Sequence, residues 1–337
     1  MATASIAKPE YTAYVIAADG TKYNITPAIE SIGISDQKKQ IAKCVTIQLM
    51  NTKVGDKYLT GLLGVRNRVY MYANDGSKKE EVFRGYLWER AYKRSMTDRT
   101  LQLKNYDNLI YFQESDHSAY FSSGKSTKDV CSALCKEWGV KLEYTYESIT
   151  HTKLPLRGTL SDILTADVLD LVKDRTGKKY VVLSEKDVVQ IKPVGSNTTF
   201  YHFTADQNAI DTTSLSTMDG MKTKVIILGK ADKEERVPVE ATVSGDTKQY
   251  GTIQTTIRRA ENTSLADAKK EAQNILDEVG KPKEEFELRA TDIPWIRKGD
   301  KVYVNAGDMK GYLIVNGIDR TITAKKREMV LDLEKAA

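Results

Sequence analysis

Val65-Arg66-Asn67-Arg68-Val69-Tyr70-Met71-Tyr72, followed by Asn74-Asp75-Gly76, Phe83-Arg84-Gly85-Tyr86-Leu87 and Leu101-Gln102-Leu103, is the stretch whose reading decides the fold. The same succession returns near the other end as Ile296-Arg297, Lys301-Val302-Tyr303-Val304, Gly307-Asp308, Lys310-Gly311-Tyr312-Leu313 and Leu331-Asp332-Leu333. Each has a basic lead-in, an alternating strand, a Gly/Asp turn, a Gly-Tyr-Leu strand start and a closing Leu-x-Leu strand. Period-two alternation puts Val69 and Met71, or Val302 and Val304, on one sheet face. Single amphipathic hairpins resemble one another by chance, but three elements in one order point to a duplicated β-domain. The copies lie too far apart for a solenoid.

The chain's 337 residues leave room for about two to three domains, each with its own core. Lys+Arg 51 against Asp+Glu 46 leaves a net charge of only +5, spread along the chain. The clusters Lys38-Lys39, Lys78-Lys79, Arg258-Arg259 and Lys325-Lys326-Arg327 fall at expected turns or strand ends, where charge discourages edge pairing. Nucleic-acid binding would require a denser basic stripe with interleaved aromatics. Cys131 and Cys135 stand four apart on an expected helix and Cys44 stands alone in a strand. That is no C-x-x-C pattern, so free thiols in a reducing compartment are expected. Met1 to Glu10 has no apolar core of signal-peptide length, and no run approaches a membrane span, so a soluble chain without export is expected.

Residues 11–112 read as strands joined by turns, within a domain 1–112. Tyr14-Val15-Ile16, an Asp19-Gly20 turn and Tyr23-Asn24-Ile25 make a first hairpin, and Cys44 to Leu49 adds a strand. Residues 113–193 read as an α+β insert. Ser126 or Thr127 caps a helix with Val130, Leu134 and Trp138 on one stripe, ended by Gly139. Ser161 is expected to start a second helix with Ile163, Leu164, Val168, Leu171 and Val172, ended near Gly177. A hairpin then runs Tyr180–Leu183, turn 184–187, Val188–Ile191. Residues 194–337 return to strand, with Lys224–Leu228 strong among them. One helix interrupts at 264–280, capped by Ser264 and Asp267 and closed by Gly280 and Pro282. Its narrow stripe of Leu265, Ala268, Ala272, Ile275, Leu276 and Val279 should lie close against a sheet.

A search for chemistry returns little. Gly124-Lys125-Ser126 imitates the end of a phosphate loop, but Ala119 stands where its first glycine belongs, and a helix N-cap explains it better. His117, His151 and His202 share no local spacing with one another or with a carboxylate, and no hydrolase or metalloprotease signature occurs. No catalytic, cofactor-binding or metal residues are therefore assigned, and no cofactor is expected. The 18 tyrosines against 6 phenylalanines suit half-buried strand faces or interfaces.

Ser264 to Ala268, Ile296-Arg297-Lys298-Gly299-Asp300-Lys301-Val302-Tyr303-Val304, Gly311 to Ile314 and Met329 to Glu334 together resemble baseplate hub proteins of contractile phage tails and phage-tail-like bacteriocins. This is the late-control-protein-D-like group, distantly related to the hub part of type VI secretion spikes. Asp162-Ile163-Leu164 and Gly177-Lys178-Lys179-Tyr180 also resemble the middle of such hubs. The resemblance covers most of the chain beyond residue 113. It departs in the last hairpin, where relatives often carry histidines and this chain has Arg320 and Arg327.

The resemblance implies a mainly β fold with an α+β insert: two tail-tube-like β-barrel domains, 1–112 and 194–337, plus a small helix/hairpin domain, 113–193. It implies a structural, non-enzymatic homotrimer whose six barrels adapt a sixfold tail tube to a threefold spike. Tube protein, spike protein and other baseplate proteins are the implied partners, with no nucleic acid, small molecule or membrane span. A virion or tail-like particle assembled in the bacterial cytoplasm and released on lysis is the implied location. Because the sequence ends at Ala337, no added hydrolase domain is expected. The competing class is a tail-associated peptidoglycan hydrolase, and a monomeric ligand-binding β-protein is a third. Muralytic assay separates the first two, and the absence of a trimer would mark the third.

Overall fold

Alternation sets the strands. In Arg68–Asn74 the residues Val69, Met71 and Ala73 are buried, while Tyr70 and Tyr72 face outward and are half-buried. Lys301–Ala306 repeats this, with Val302, Val304 and Ala306 inside. The computed structural model describes residues 8–38, 40–96, 98–230, 237–259 and 263–336. Lys39 of the first basic cluster, Met1–Ala7 and Ala337 lie outside them.

Among the described residues thirteen strands form one sheet. Along it Ile29–Asp36, Cys44–Met50, Arg99–Tyr106, Lys79–Arg94, Arg68–Asn74 and Glu10–Ile16 are successive neighbours, with Lys22–Asn24 beyond. Ala209–Thr217, Lys283–Thr291, Arg327–Lys335, Met309–Thr323, Lys301–Ala306 and His202–Thr204 are likewise successive neighbours. Ranked by position in the chain, both sets read second, third, sixth, fifth, fourth, first. Among the described residues two differences break the match: Lys22–Asn24 has no counterpart beyond His202–Thr204, and Glu10–Ile16 is antiparallel to its neighbour where His202–Thr204 is parallel to its own. The two halves join where Ser31–Asp36 pairs antiparallel with Ile318–Thr323.

The first half curls on itself. One cluster gathers Ala13, Val15, Ile32, Ile34, Val45, Ile47, Val69, Met71, Phe83 and Leu101 from all six of its strands. The two outermost strands of this half are brought together at Asp292, which accepts from Tyr11 of Glu10–Ile16 and from Arg320, the residue paired with Ile34.

The 113–193 segment packs around Val130, Leu134, Leu164, Val168, Val172, Val189 and Ile191, in a core that also takes in Ala42, Leu109 and Phe112. Ser126 caps Thr127–Glu137 in a reciprocal capping box with Asp129, so Gly124-Lys125-Ser126 is a turn and cap. The second helical run starts earlier than Ser161. Thr159 is its cap, because its side chain accepts the Asp162 N–H. The run contains a π-helical stretch at Ile163–Leu169 and ends at Gly177. Tyr180–Glu185 and Val188–Pro193 form the expected hairpin, joined in parallel by Lys141–Tyr144.

Two compact units divide the chain: 1–213 with 287–337, and 214–286. In the second, Lys224–Leu228 is central between Val239–Ser244 and Gln254–Arg258. Helix Leu265–Val279, capped by Ser264, lays Ala268, Ala272 and Leu276 on Val225 and Ile227. Small side chains permit that close approach. The helix expected inside the second β-domain thus belongs to a separate unit, and 1–112, 113–193 and the remaining parts of 194–337 share the first. Continuous pairing across Ser31–Asp36 and Ile318–Thr323 is the physical reason.

Candidate assembly interface

A side-chain-closed turn precedes the same strand in both halves. Gly64 N–H donates to Asn67 Oδ1 at 2.7 Å, and Arg297 N–H donates to Asp300 Oδ2 at 2.8 Å. The residue between turn and strand, Arg66 in one half and Gly299 in the other, has positive φ, 65° and 87°. Leu87 exchanges backbone hydrogen bonds with Arg66 and Asn67, as Val315 does with Gly299 and Asp300. An arginine then closes each turn's carbonyls. Arg90 Nη1 donates to Thr60 and Leu63 oxygens, both at 2.6 Å, and Arg320 Nη2 donates to Ile293 and Ile296 oxygens at 3.2 and 2.8 Å.

Each long strand also shifts register against the strand that follows it, and at the same place. Lys79–Arg94 shifts register between Leu87 and Glu89, and Met309–Thr323 shifts between Val315 and Gly317. Aligned on these bulges, Leu87 matches Val315 and Gly85 matches Leu313. The two Gly-Tyr-Leu triplets are therefore two residues out of step, as are the closing Leu-x-Leu pairs. A shift of two preserves the sheet face, which is why the sequence pattern still repeats. Gly85 lies mid-strand, not at a strand start, and a Cβ there would meet the Tyr106 carbonyl oxygen at 2.1 Å. Gly311, by contrast, has open space and φ +126°. The first is a close approach and the second a backbone requirement.

Buried charge locks the joint between halves. Asp36 is 2 % exposed, with Lys298 Nζ at 2.8 Å and Lys43 Nζ at 3.9 Å. Lys298 also donates to the Gln37 and Gln40 carbonyls. Burial works against the Asp36 carboxylate, yet the two lysines hold it below its ordinary range. Asp107 accepts the Lys43 and Leu109 N–H groups, and burial pushes its carboxyl up to about 7. Arg320 Nε donates to the fully buried Asp292 at 2.9 Å, and the Tyr11 hydroxyl donates to the same carboxylate. Glu334 gathers Lys179 at 2.7 Å, Asn316 at 2.8 Å and Lys38 at 3.2 Å. The Arg320 and Arg327 noted in the last hairpin are structural: Arg327 Nε donates to the Pro9 carbonyl at 2.8 Å.

The histidines do not converge on a reaction centre. His151 is buried against Thr127 Oγ1 at 2.8 Å, His202 stacks near Tyr303, and His117 lies on the edge of Trp138 with Glu137 at 3.4 Å. Cys131 and Cys135 are buried free thiols, and burial pushes Cys135 up to about 12. Among the described residues no three potential ligands gather to hold a metal, and no helix is long and apolar enough to cross a membrane. Sequence reasoning missed Asn67, Asp36, Lys43, Asp107, Arg90 and Asp292. Asn67 and Asp300 carried a signal, each standing just before a strand as an Asx residue able to close a turn. The ion cluster carried none, because its members are far apart in the chain.

The family described as YQBQ-like matches residues 32–334. No curated protein matches significantly. Among solved structures, the 43 kDa tail protein of prophage MuSo2 from Shewanella oneidensis is similar over 97% of this chain and 98% of its own, with TM-score 0.72 and 13% identity. A tail protein from Neisseria meningitidis MC58 is similar over 96% of both chains, with TM-score 0.70 and 12% identity. The E. coli c3393 protein, a component of the type VI secretion system similar to T4 tail proteins gp27 and gp5, covers 92% of this chain and 74% of its own, with TM-score 0.56 and 9% identity. The fold is that of phage tail proteins and their secretion-system counterparts.

Proposed function

The chain belongs to the YQBQ-like family, and from that premise we propose that it is a structural component of a phage tail or tail-like particle, acting there as the baseplate hub. The observation that carries this reading is the repeated strand order, second-third-sixth-fifth-fourth-first, in two halves of one chain. Three such chains present six similar β-repeats, the number a sixfold tube must meet, while keeping threefold symmetry for a spike. The repeats are 1–112 and the strands of 194–337, with 113–193 carried outside the ring.

Its partners are a second and third copy, the tube protein, the spike protein and neighbouring baseplate proteins, within a virion or tail-like particle. The task is mechanical, so broad continuous pairing rather than one reactive residue does it, and the chain has no turnover of its own. Copy counting tests this. Purified particles should contain three chains per baseplate, and purified chain incubated with cell walls should release no soluble fragments. Six copies, one copy, or muralytic release abolished by a single buried-carboxylate substitution would reject the reading.

A further inference from the structure

The internal joint between the halves uses one edge from each and leaves one edge of each over. Within the chain, Ile318–Thr323 is paired on its outer side by Ser31–Asp36. By the shared bulge, the counterpart of Ile318–Ile322 in the first half is Arg90–Arg94. By rank in the sheet, the counterpart of Ile29–Asp36 in the second half is Ala209–Thr217. Among the described residues, Glu89–Arg94 pairs only with Arg99–Lys104, and Ala209–Thr217 ends the sheet.

Burial follows the same division. Ile318, Arg320 and Ile322 are buried, as are Ile32 and Ile34 opposite them. Their counterparts are open: every residue from Trp88 to Arg94 is exposed, Tyr92 by 46%, and Ile210 is exposed by 48%. Exposed charge is one way to guard a sheet edge, and Lys93 and Arg94 would serve that end. Pairing is favoured over guarding because strands of the same two ranks already pair in cis, and because Asp211, which holds Arg289 at 3.3 Å within the chain, keeps an exposed carboxylate that Lys93 and Arg94 could share.

We propose that the Glu89–Arg94 edge of one copy takes Ala209–Thr213 of a second copy, repeating between chains the joint that Ile318–Thr323 and Ser31–Asp36 make within one. This rests on the ring reading above and names its contact. The interface is head-to-tail, since each copy offers one edge of each kind, and head-to-tail contacts build rings. Tyr92 becomes covered by the incoming copy, as Arg320 is covered within the chain. The edge must also stay soluble before assembly, which accounts for Arg94 standing where the internal joint has Ile322; Arg90, in the place of Ile318, is held by the Thr60 and Leu63 carbonyls.

Cysteine cross-linking of the full chain tests this, in a Cys44→Ser background at high protein concentration under mild oxidation. Lys93→Cys is combined in turn with Asp211→Cys, Thr212→Cys and Thr213→Cys. We expect at least one double variant to convert most of the chain to disulfide-linked multimers, including a closed species of three, and Lys93→Cys alone to give none. Efficient self-linking of Lys93→Cys alone would overturn the proposal in favour of a twofold edge contact. Association by native mass with no linked product in any double variant would overturn the strand assignment while leaving the ring intact. A single chain at every concentration, together with one copy per particle, would remove both.

Discussion

Asn67 and Asp300 hold the same turn in the two halves of the chain: each side-chain oxygen accepts the N–H three residues before it, at 2.7 and 2.8 Å. Both are 7% exposed. One is an amide and the other an acid, so the duplication preserved the acceptor and not the charge. Burial raises the Asp300 carboxyl above its ordinary range, which means the charge costs stability at neutral pH.

Asp300→Asn should therefore keep the fold and raise the melting temperature at pH 7 to 8, since Asn67 shows that the amide suffices. Asp300→Ala and Asn67→Ala should each lose about 1–2 kcal/mol, leaving a half-buried N–H unpaired. Thermal unfolding of the three variants decides it. A lower melting temperature for Asp300→Asn at pH 8 would contradict the argument.

Removing Lys298 should be far costlier than removing a surface lysine. Asp36 would remain buried with only Lys43 at 3.9 Å, a loss of about 3–5 kcal/mol. Asp36→Asn combined with Lys298→Met should recover part of it. Denaturant midpoints of single and double variants measure the coupling, and additive losses would show that the pair does not interact.

Stability should respond to pH in two opposite windows. Against the cost of burial, hydrogen bonds from Lys179 and Asn316 and the charge of Lys38 hold Glu334 at about 2. Its contribution is present above its ordinary value of 4.5 and fades as pH falls toward 2. Asp107 runs the other way. Its contribution is complete below 3.8 and is lost as pH rises through about 7. Glu334→Gln should thus flatten the acid side of the stability profile, with a loss of about 1–2 kcal/mol at pH 7. Asp107→Asn should gain on wild type steadily from pH 4 to pH 8. Parallel profiles for wild type and either variant would refute that assignment.

The two glycines should separate cleanly. Gly85→Ala drives a Cβ into the Tyr106 carbonyl and should cost about 1–3 kcal/mol. Gly311→Ala has space, so its cost is the backbone's alone, about 1–3 kcal/mol for φ +126°. Replacing Tyr106 cannot rescue Gly85→Ala, because the obstacle is backbone. Crystal structures of the variants should show the sheet shifted at Gly85→Ala and an altered φ at Gly311→Ala.

Much of this was legible in the sequence, because period-two patterning survives any even shift. Val69 with Met71 and Val302 with Val304 marked the repeat even though Gly85 and Gly311 are not true counterparts. Helix caps were legible where a single short-range bond decides them, as at Ser126 and Ser264. Thr159 was missed because Ser161, two residues on, carries the same chemistry. The Asp36, Lys298 and Lys43 cluster could not be read, since no local rule connects residues 36 and 298. Nor could the inserted unit 214–286, whose helix has ordinary patterning and whose separation is a matter of tertiary pairing.

The most direct test of the duplicated-hub account is a reconstruction of the intact particle at the level where tube meets spike. The account predicts three copies of this chain, with 1–112 and the strands of 194–337 alternating around the axis as six near-equivalent β-repeats. Six copies using one repeat each, or halves that occupy unrelated positions around the axis, would contradict it.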